Sequence, residues 1–360
     1  MRYCLAFLPL LAPWMALAAP LGHRAASANT MLVLQFAHVL EQLETTFYTQ
    51  ALSKFQASDF INAGFVTAAT AVEQFTIIAG DESTHTSLLE ATIISLGGTP
   101  ITTCTFDFTA VLASVQTMLP VARLVENVGV SAYLGAVTLL DDPHILSAAA
   151  SIVTVESRHQ TLLNIFSQGS SIASPFDMAL SPSQVLAIAG PFISGCSLGV
   201  PANPSLAITN TGSVTVGTQL TFSSSVLNSS TPTANLSCQM MTGGAPFAIS
   251  LPFDNCVVPA GVNGLVYIFI TNTDQPLLSD LASQFAASIV AGPAGAFIDT
   301  QTNTISQLLF VNSTSGTNTT SGVTPNAGTL VNSTTTLSPS AASSLSASLA
   351  SVTPTIYRRI

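Results

Sequence analysis

Two stretches of the chain place a glutamate three residues before a histidine. They are Glu82 to His85 and Glu156 to His159, and both lie in apolar runs that are typical of helices. Residues i and i+3 of an α-helix point the same way, one turn apart. Each pair can therefore offer an oxygen and a nitrogen ligand to one point in space. One such pair is a weak signal, but two pairs on two helices indicate a metal site.

The other glutamates strengthen this interpretation. The chain has seven glutamates, none after Glu156, and a single lysine. Glu41, Glu44 and Glu126 lie in apolar surroundings on two further predicted helices. Burying several carboxylates together is costly unless their charge is compensated. Two divalent cations would balance four carboxylates, and two neutral histidines would complete the coordination. We therefore predict a site for two divalent metal ions, and its carboxylate-rich ligands suit iron or manganese.

Some alternatives stay open at this stage. Glu41 and Glu44 compete for the position on the first helix, because they lie three residues apart on one face. Tyr48 and Tyr133 fall on the metal-facing side, where they could orient ligating carboxylates or be ordinary core aromatics. The rival for the whole set is a buried hydrogen-bond network without metal, which would leave the carboxylates without counter-charge.

Four segments have the length and apolar periodicity of long helices: about residues 30–52, 59–96, 107–140 and 142–169. We expect Asp59 to cap the second helix, a possible break near Gly80, and a possible kink at Pro120 in the third. A short helix follows at about 181–189. Four long amphipathic helices with short links predict a four-helix bundle.

From about residue 205 the sequence alternates apolar residues with Thr, Ser and Gly, which is typical of strands. Strand-like stretches occur at 206–212, 215–224 and 264–272. A small β-sandwich-like region at 205–310 is therefore expected, although 277–292 could be an inserted helix. Residues 311–360 are rich in Ser and Thr and predict a disordered, glycosylated tail.

The N-terminus indicates secretion. Residues 1–19 have the charge, apolar run and small-residue cleavage pattern of a signal peptide, and no membrane anchor is expected after its removal. Four cysteines then remain, for which three pairings are possible. We favour Cys104–Cys196 and Cys238–Cys256, because each bond then links a different region. Five Asn-x-Ser/Thr glycosylation acceptors are present: Asn228, Asn235, Asn312, Asn318 and Asn332. The predicted location is extracellular or in the cell wall.

Composition excludes other functions. Charged residues make up only 7% of the chain, the net charge is −10, and there are seven Lys and Arg together. Without a basic patch, nucleic-acid binding is not expected. No Gly-rich phosphate loop or nucleophile elbow is present.

Four motifs resemble secreted ferritin-like proteins of fungi, of the stress-response and late-sexual-development type, which are similar to plant desiccation-related proteins. They are LEQLETTFY (40–48), DESTHTSLLEATIISLGG (81–98), LVENVGVSAYLGAV (124–137) and VESRHQTLL (155–163). The segment 176–196 also matches the end of that domain. The resemblance covers about residues 30–200 and implies a mainly α fold, a ferritin-like four-helix bundle followed by the β-sandwich-like region and the tail.

The resemblance also implies a ligand set. The metal ligands would be Glu44, Glu82, His85, Glu126, Glu156 and His159. Glu82 and Glu156 would bridge the two metals. Glu44 is preferred over Glu41 because the resemblance places it so and Tyr48 follows one turn later. Glu41, Tyr48 and Tyr133 would then surround the ligands.

Two functions follow as expectations. The first is a secreted dimetal oxidoreductase, either ferroxidase-like or manganese-catalase-like, with oxygen or peroxide as its small-molecule oxidant. The second is a non-enzymatic extracellular or cell-wall protein of stress or sexual development, with a cell-wall polymer as its partner.

Overall fold

Four long helices form the N-terminal bundle of the computed structural model, which describes residues 26–228, 230–281, 289–300 and 304–311. They are α1 (Ala28–Lys54), α3 (Ala68–Ser95), α4 (Val115–Ala136) and α5 (Pro143–Phe166). The helices pack chiefly as two pairs, α1 with α3 and α4 with α5. The predicted four-helix bundle is confirmed. The predicted signal peptide, and the tail from 312 with Asn312, Asn318 and Asn332, lie outside the described residues.

Side-chain caps fix where these helices begin. The hydroxyl of Ser27 accepts the Thr30 N–H before α1, and Ser114 does the same for the first turn of α4. Asp142 accepts two backbone N–H groups at the start of α5, where Pro143 occupies the first helical position. The capping residues thus set the phase in which each helix presents its glutamates.

The second predicted helix is two helices. A short α2 (Ala57–Asn62) is followed by a turn containing Gly64, whose φ of +99° is a left-handed conformation that interrupts a helix. The expected break near Gly80 is wrong, because α3 runs through it. Asp59 does not cap a long helix either; it lies within α2 and accepts the N–H of Gln56.

The third predicted helix begins later than expected. Residues 107–114 are not part of it, because α4 starts only after the Ser114 cap and then continues through Pro120. The preceding chain forms a short strand β1 (Thr105–Phe106), antiparallel to β2 (Ile193–Ser194). The disulfide Cys104–Cys196 lies beside this strand pair. Together they tie the loop before α4 to the segment that follows α6 (Pro182–Ala189).

The β-rich region centres on a four-stranded antiparallel sheet with the order β6-β5-β7-β8. Its strands are β5 (Ser237–Thr242), β6 (Ile249–Pro252), β7 (Gly264–Thr271) and β8 (Ile289–Ile298). A two-stranded sheet pairs β3 (Ala207–Ile208) with β4 (Phe222–Ser223), and a short helix α7 (Thr304–Gln307) follows β8. The expectation of a β-rich region after the bundle is confirmed. Ile289 to Gly292 is strand and not part of an inserted helix; residues 282–288 lie outside the described part.

Alternate side chains of the sheet enter two different cores. Tyr267 and Phe269 of β7 join the hydrophobic core of the bundle, whereas Val266 and Ile268 join a second core with β3, β4 and the loops of this region. The Cys238–Cys256 disulfide, also in the favoured pairing, is buried in that second core. Bundle and sheet therefore share a packed interface, and the boundaries drawn at residues 200 and 205 remain a prediction. No helix among the described residues is long and apolar enough to cross a bilayer.

An ion pair joins the bundle to the sheet. Arg123 of α4 is 3% exposed, and two of its nitrogens donate to the carboxylate of Asp299, just after β8, at 2.7 and 2.8 Å. Its Nε donates to Asn164, and its guanidinium lies 3.8 Å from the centre of the Phe297 ring. Although burial tends to raise the pKa of Asp299, the hydrogen bonds and charge of Arg123 lower it below its ordinary value. The arginine therefore balances Asp299 and not the glutamates of the bundle.

We predict that Arg123→Met lowers the free energy of unfolding by about 1.5–3 kcal/mol, because the partly exposed carboxylate of Asp299 loses its charge-assisted hydrogen bonds. Urea denaturation followed by circular dichroism measures this change. Adding Asp299→Asn should restore part of the loss, since it removes the unpaired charge. Arg158→Met, at an exposed arginine of α5, is the matched control. An equal effect of the two single substitutions would contradict a specific role for the pair.

Candidate metal centre

The interior of the bundle holds five of the seven glutamates in the chain. Each is at most 3% exposed, and the two histidines of the Glu-x-x-His pairs are also buried. The buried glutamates are Glu41, Glu44, Glu82, Glu126 and Glu156. They come from all four long helices, so only the assembled bundle brings them together.

Two groups of four residues place their ligand atoms within 4.8 Å of one another. The first comprises Glu41, Glu82, His85 and Glu156; the second comprises Glu82, Glu126, Glu156 and His159. Glu82 and Glu156 occur in both groups. Five of the six ligands implied by the resemblance are thus brought together, whereas Glu44 lies outside both groups.

The two oxygens of Glu82 face different histidines. Its Oε2 lies 3.1 Å from His85 Nδ1, and its Oε1 lies 2.7 Å from His159 Nδ1. Glu156 Oε1 lies 3.3 Å from His85 Nδ1, on the side of the first group. A carboxylate shared in this way sits where it could contact two metal ions at once.

Six buried ligand atoms have no hydrogen-bond partner within the described part of the chain: Glu41 Oε2, Glu82 Oε1, Glu126 Oε2, both oxygens of Glu156, and His159 Nδ1. His159 Nδ1 and Glu82 Oε1 are both among these atoms. They lie close together, but they do not have the orientation of a hydrogen bond. Buried polar atoms in proteins are nearly always satisfied. Four of the five oxygens nevertheless lie 2.7–3.4 Å from a histidine nitrogen, at ion-pair distance. Hydrogen bonds alone therefore do not satisfy these atoms, and the donor set fits cations bound between the groups.

Tyrosines hold the outer carboxylates in a reciprocal arrangement. Tyr48 of α1 donates to Glu126 of α4, and Tyr133 of α4 donates to Glu41 of α1. Both tyrosines are buried, at 0% and 8% exposure. Each hydrogen bond crosses between the two helix pairs and fixes one carboxylate, as expected of residues that orient ligands.

The same pattern explains the placement of Glu41. Tyr48 follows Glu41 by seven residues, and Tyr133 follows Glu126 by seven residues. Glu41 and Glu126 are therefore equivalent positions in the two helix pairs. The counterpart of Glu44 is then Gly129, three residues after Glu126. This equal spacing was the signal in the sequence that could have favoured Glu41 over Glu44.

Sequence reasoning gave no role to Asp81. His159 Nε2 lies 3.1 Å from Asp81 Oδ2, so the ring can donate one N–H outward while Nδ1 faces the cluster. A carboxylate in this position typically orients a ligating histidine. Asp81 directly precedes Glu82 in the chain. Adjacent residues of a helix do not lie on the same face, so the sequence does not indicate that Asp81 contacts His159 of α5.

The carboxylates are held close to one another in a dry interior. Burial, followed by the charges of neighbouring glutamates, raises the pKa of Glu44 and of Glu156 well above the usual range. Burial also raises the pKa of Glu41 to about 8 and, in the same direction, that of Glu126. Without metal, the cluster therefore retains protons at neutral pH.

Glu82 behaves differently because it lies between both histidines. Burial alone would raise its pKa, but the close contacts of His159 and His85 with its oxygens lower it to about 2. Burial likewise opposes the protonation of both rings. The facing carboxylates nevertheless raise the pKa of His85 to about 12 and that of His159 to about 11. Protons thus take the place of cations in the metal-free cluster.

We predict that the metal-free protein loses stability as pH rises from about 5 to 8. In this range the folded state binds more protons than the unfolded chain, since the pKa values of both histidines and of Glu41, Glu44, Glu126 and Glu156 are raised. The unfolding free energy then falls with pH, by about 1.4 kcal/mol per pH unit for each extra proton held. The low pKa of Glu82 acts only below about pH 4.5, and His38, whose pKa burial lowers, opposes the trend as a single group.

Thermal unfolding of chelator-treated protein across this pH range measures the effect. A Glu44→Gln/Glu156→Gln variant should show a shallower decrease, because two of the protons are replaced by fixed neutral groups. A melting temperature that stays constant or rises between pH 5 and 8 would contradict the prediction.

Comparison with known proteins agrees with this geometry. Residues 29–168 match the family model of the ferritin-like domain. This range contains α1 to α5 and every residue of both ligand groups. No curated protein matches the chain. The N-terminal helical region of this protein is therefore a ferritin-like domain.

Proposed function

We propose that the buried cluster is a carboxylate-bridged centre for two iron or manganese ions. The observation that carries the proposal is the set of buried ligand atoms from all four helices that converge in two groups and have no hydrogen bond among the described residues. Four carboxylates of the two groups balance the charge of two divalent ions, and the two imidazoles complete the set. When bound, such ions supply oxidation–reduction chemistry toward oxygen or peroxide.

The ligands that we propose differ at one position from those implied by the resemblance. Glu41 and Glu126 would each hold one ion, Glu82 and Glu156 would be shared between the two, and His85 and His159 would each complete one group. Membership in a four-residue group and the reciprocal tyrosine bonds support Glu41 over Glu44 at the first helix.

The surrounding residues have roles of their own. Tyr48 and Tyr133 hold the terminal carboxylates, and Asp81 holds the ring of His159. The bundle core excludes water from the bridging glutamates, which are fully buried. Glu44, beside the cluster but outside both groups, can hold a proton close to the bridging Glu156. These features favour an oxidoreductase that uses oxygen or peroxide.

We further propose that the protein is secreted, to the extracellular space or the cell wall. Two disulfides support an oxidising compartment. Asn228 and Asn235 are exposed, so both glycosylation acceptors within the described residues are accessible. A role in stress or sexual development of a fungus rests on the sequence resemblance.

A second candidate is a non-enzymatic extracellular protein. All five glycosylation acceptors lie in the β-rich half or the tail, and none lies in the bundle. That distribution favours attachment of the second half to a cell-wall polymer, with the bundle as a stable scaffold. The two functions are compatible, since one concerns the bundle and the other the second half.

We predict two iron or manganese ions per chain in protein isolated from its native host. Elemental analysis of the wild type should show them, and Glu82→Ala/Glu156→Ala should remove both, because each lost carboxylate belongs to both groups. Glu73→Ala/Glu90→Ala, at two exposed glutamates of the same helix as Glu82, should retain them. Hydrogen peroxide consumption should follow metal content. A fully folded wild type without metal would refute the proposal.

The two glutamates of α1 can be separated experimentally. Glu41→Gln should weaken the binding of the metal in the first group by about tenfold or more, as the loss of a ligand does. Glu44→Gln should retain two metals per chain. Titration with Mn²⁺ or Fe²⁺ followed by elemental analysis distinguishes them, and the reverse result would restore Glu44 as the ligand.

A further inference from the structure

A large cavity lies between the ferritin-like domain and the β-rich region. Its volume is about 680 Å³, within the usual range of about 300–1,000 Å³ for small-molecule sites. Its walls come from α1, α4, α6 and the chain after it, β3, the segment at β4, and β8. Most lining side chains are aliphatic, such as Leu40, Leu43 and Val125. The site is therefore apolar along most of its length.

Among the described residues, Glu44 is the single charged one that lines this cavity. Gly129 lines it beside Glu44, and a β-carbon added at Gly129 would lie 2.8 Å from Glu156 Oε2 and 3.1 Å from Glu44 Oε1. Both carboxylates thus occupy the space that a side chain at 129 would fill. The buried end of the cavity therefore adjoins a bridging glutamate of the proposed metal centre.

The opposite end is rimmed by hydroxyl groups. Ser223 and Ser225 are exposed and line the cavity together with Ser205 and Ser224. The Oγ atom of Ser224 is buried and has no hydrogen-bond partner among the described residues. An unsatisfied buried hydroxyl in a cavity wall is suited to a ligand that brings its own polar group.

The chemistry of the walls restricts the ligand. An anion would approach the carboxylates of Glu44 and Glu156, and a hydrated cation would lose its water to an aliphatic wall. An uncharged molecule with an apolar body satisfies the walls, and a hydroxyl group on it could pair with Glu44.

We propose that this cavity binds an uncharged, largely apolar organic molecule that carries a hydroxyl group, with the hydroxyl at Glu44 and the other end at the serine rim. Its role as the substrate pocket of the metal centre rests on the proposed function. Binding itself does not, because none of the residues that line the cavity is a proposed metal ligand.

The test uses the full chain and 1-naphthol, an apolar aromatic alcohol that is uncharged at neutral pH and fluorescent. Titration with wild type should give saturable binding with one site per chain, with or without metal. Ala207→Trp, at an exposed residue of the cavity wall, should weaken binding at least tenfold, because the indole fills the opening. Ala202→Trp, at an exposed alanine outside the wall, is the matched control.

Glu44→Met tests the inner end, because methionine has a similar length and cannot accept the hydroxyl. This substitution should weaken the binding of 1-naphthol by about tenfold and leave the binding of naphthalene unchanged. Circular dichroism verifies that the variants are folded. The proposal is overturned if wild type does not bind 1-naphthol, if Ala207→Trp and Ala202→Trp behave alike, or if Glu44→Met weakens both probes equally.

The outcomes for the two proposals are distinguishable. Saturable 1-naphthol binding to protein that never holds metal would support the pocket and refute the dimetal function. Two metals per chain with no 1-naphthol binding would support the dimetal function and refute the pocket.

Discussion

The central constraint on the structure is that five carboxylates are enclosed in one helical bundle, where their mutual repulsion must be compensated. Their charges cannot be dispersed into water, because every one of these side chains is at most 3% exposed. Desolvated ions must be compensated by partners of opposite charge. The described lysine and arginines do not supply them: the buried Arg123 is engaged by Asp299. Compensation therefore falls to protons on the metal-free protein and, in our proposal, to cations on the loaded one.

The tyrosine hydrogen bonds and the β-rich region both help to hold the carboxylates in place. Reciprocal tyrosine bonds across the helix pairs keep Glu41 and Glu126 aimed inward against their repulsion. The β-rich region covers α4 from outside, where Tyr267 hydrogen-bonds to Asn127 and Ser131. The sheet thus secures the helix that carries Glu126 and Gly129. A bundle alone would leave that face, and the cavity beside it, open to water.

The fold and most of the site could be predicted from the sequence because both depend on helical periodicity. Glu82 with His85 and Glu156 with His159 follow directly from i, i+3 spacing. The interruption at Gly64 was not predicted, since it depends on a local left-handed turn. Asp81 could not be identified, because its contact with His159 exists only after α3 and α5 pack.

The sequence also contains a spacing pattern that distinguishes Glu41 from Glu44. Comparing the two helix pairs as equivalents places Glu41 opposite Glu126, with a tyrosine seven residues after each, and leaves Glu44 opposite Gly129. The two helix pairs therefore match at Glu41 and Glu126 and differ at this one position. Glu44 is an added carboxylate, and Gly129 provides the space that it and Glu156 require. This difference lies at the wall of the large apolar cavity, because Glu44 and Gly129 both line it.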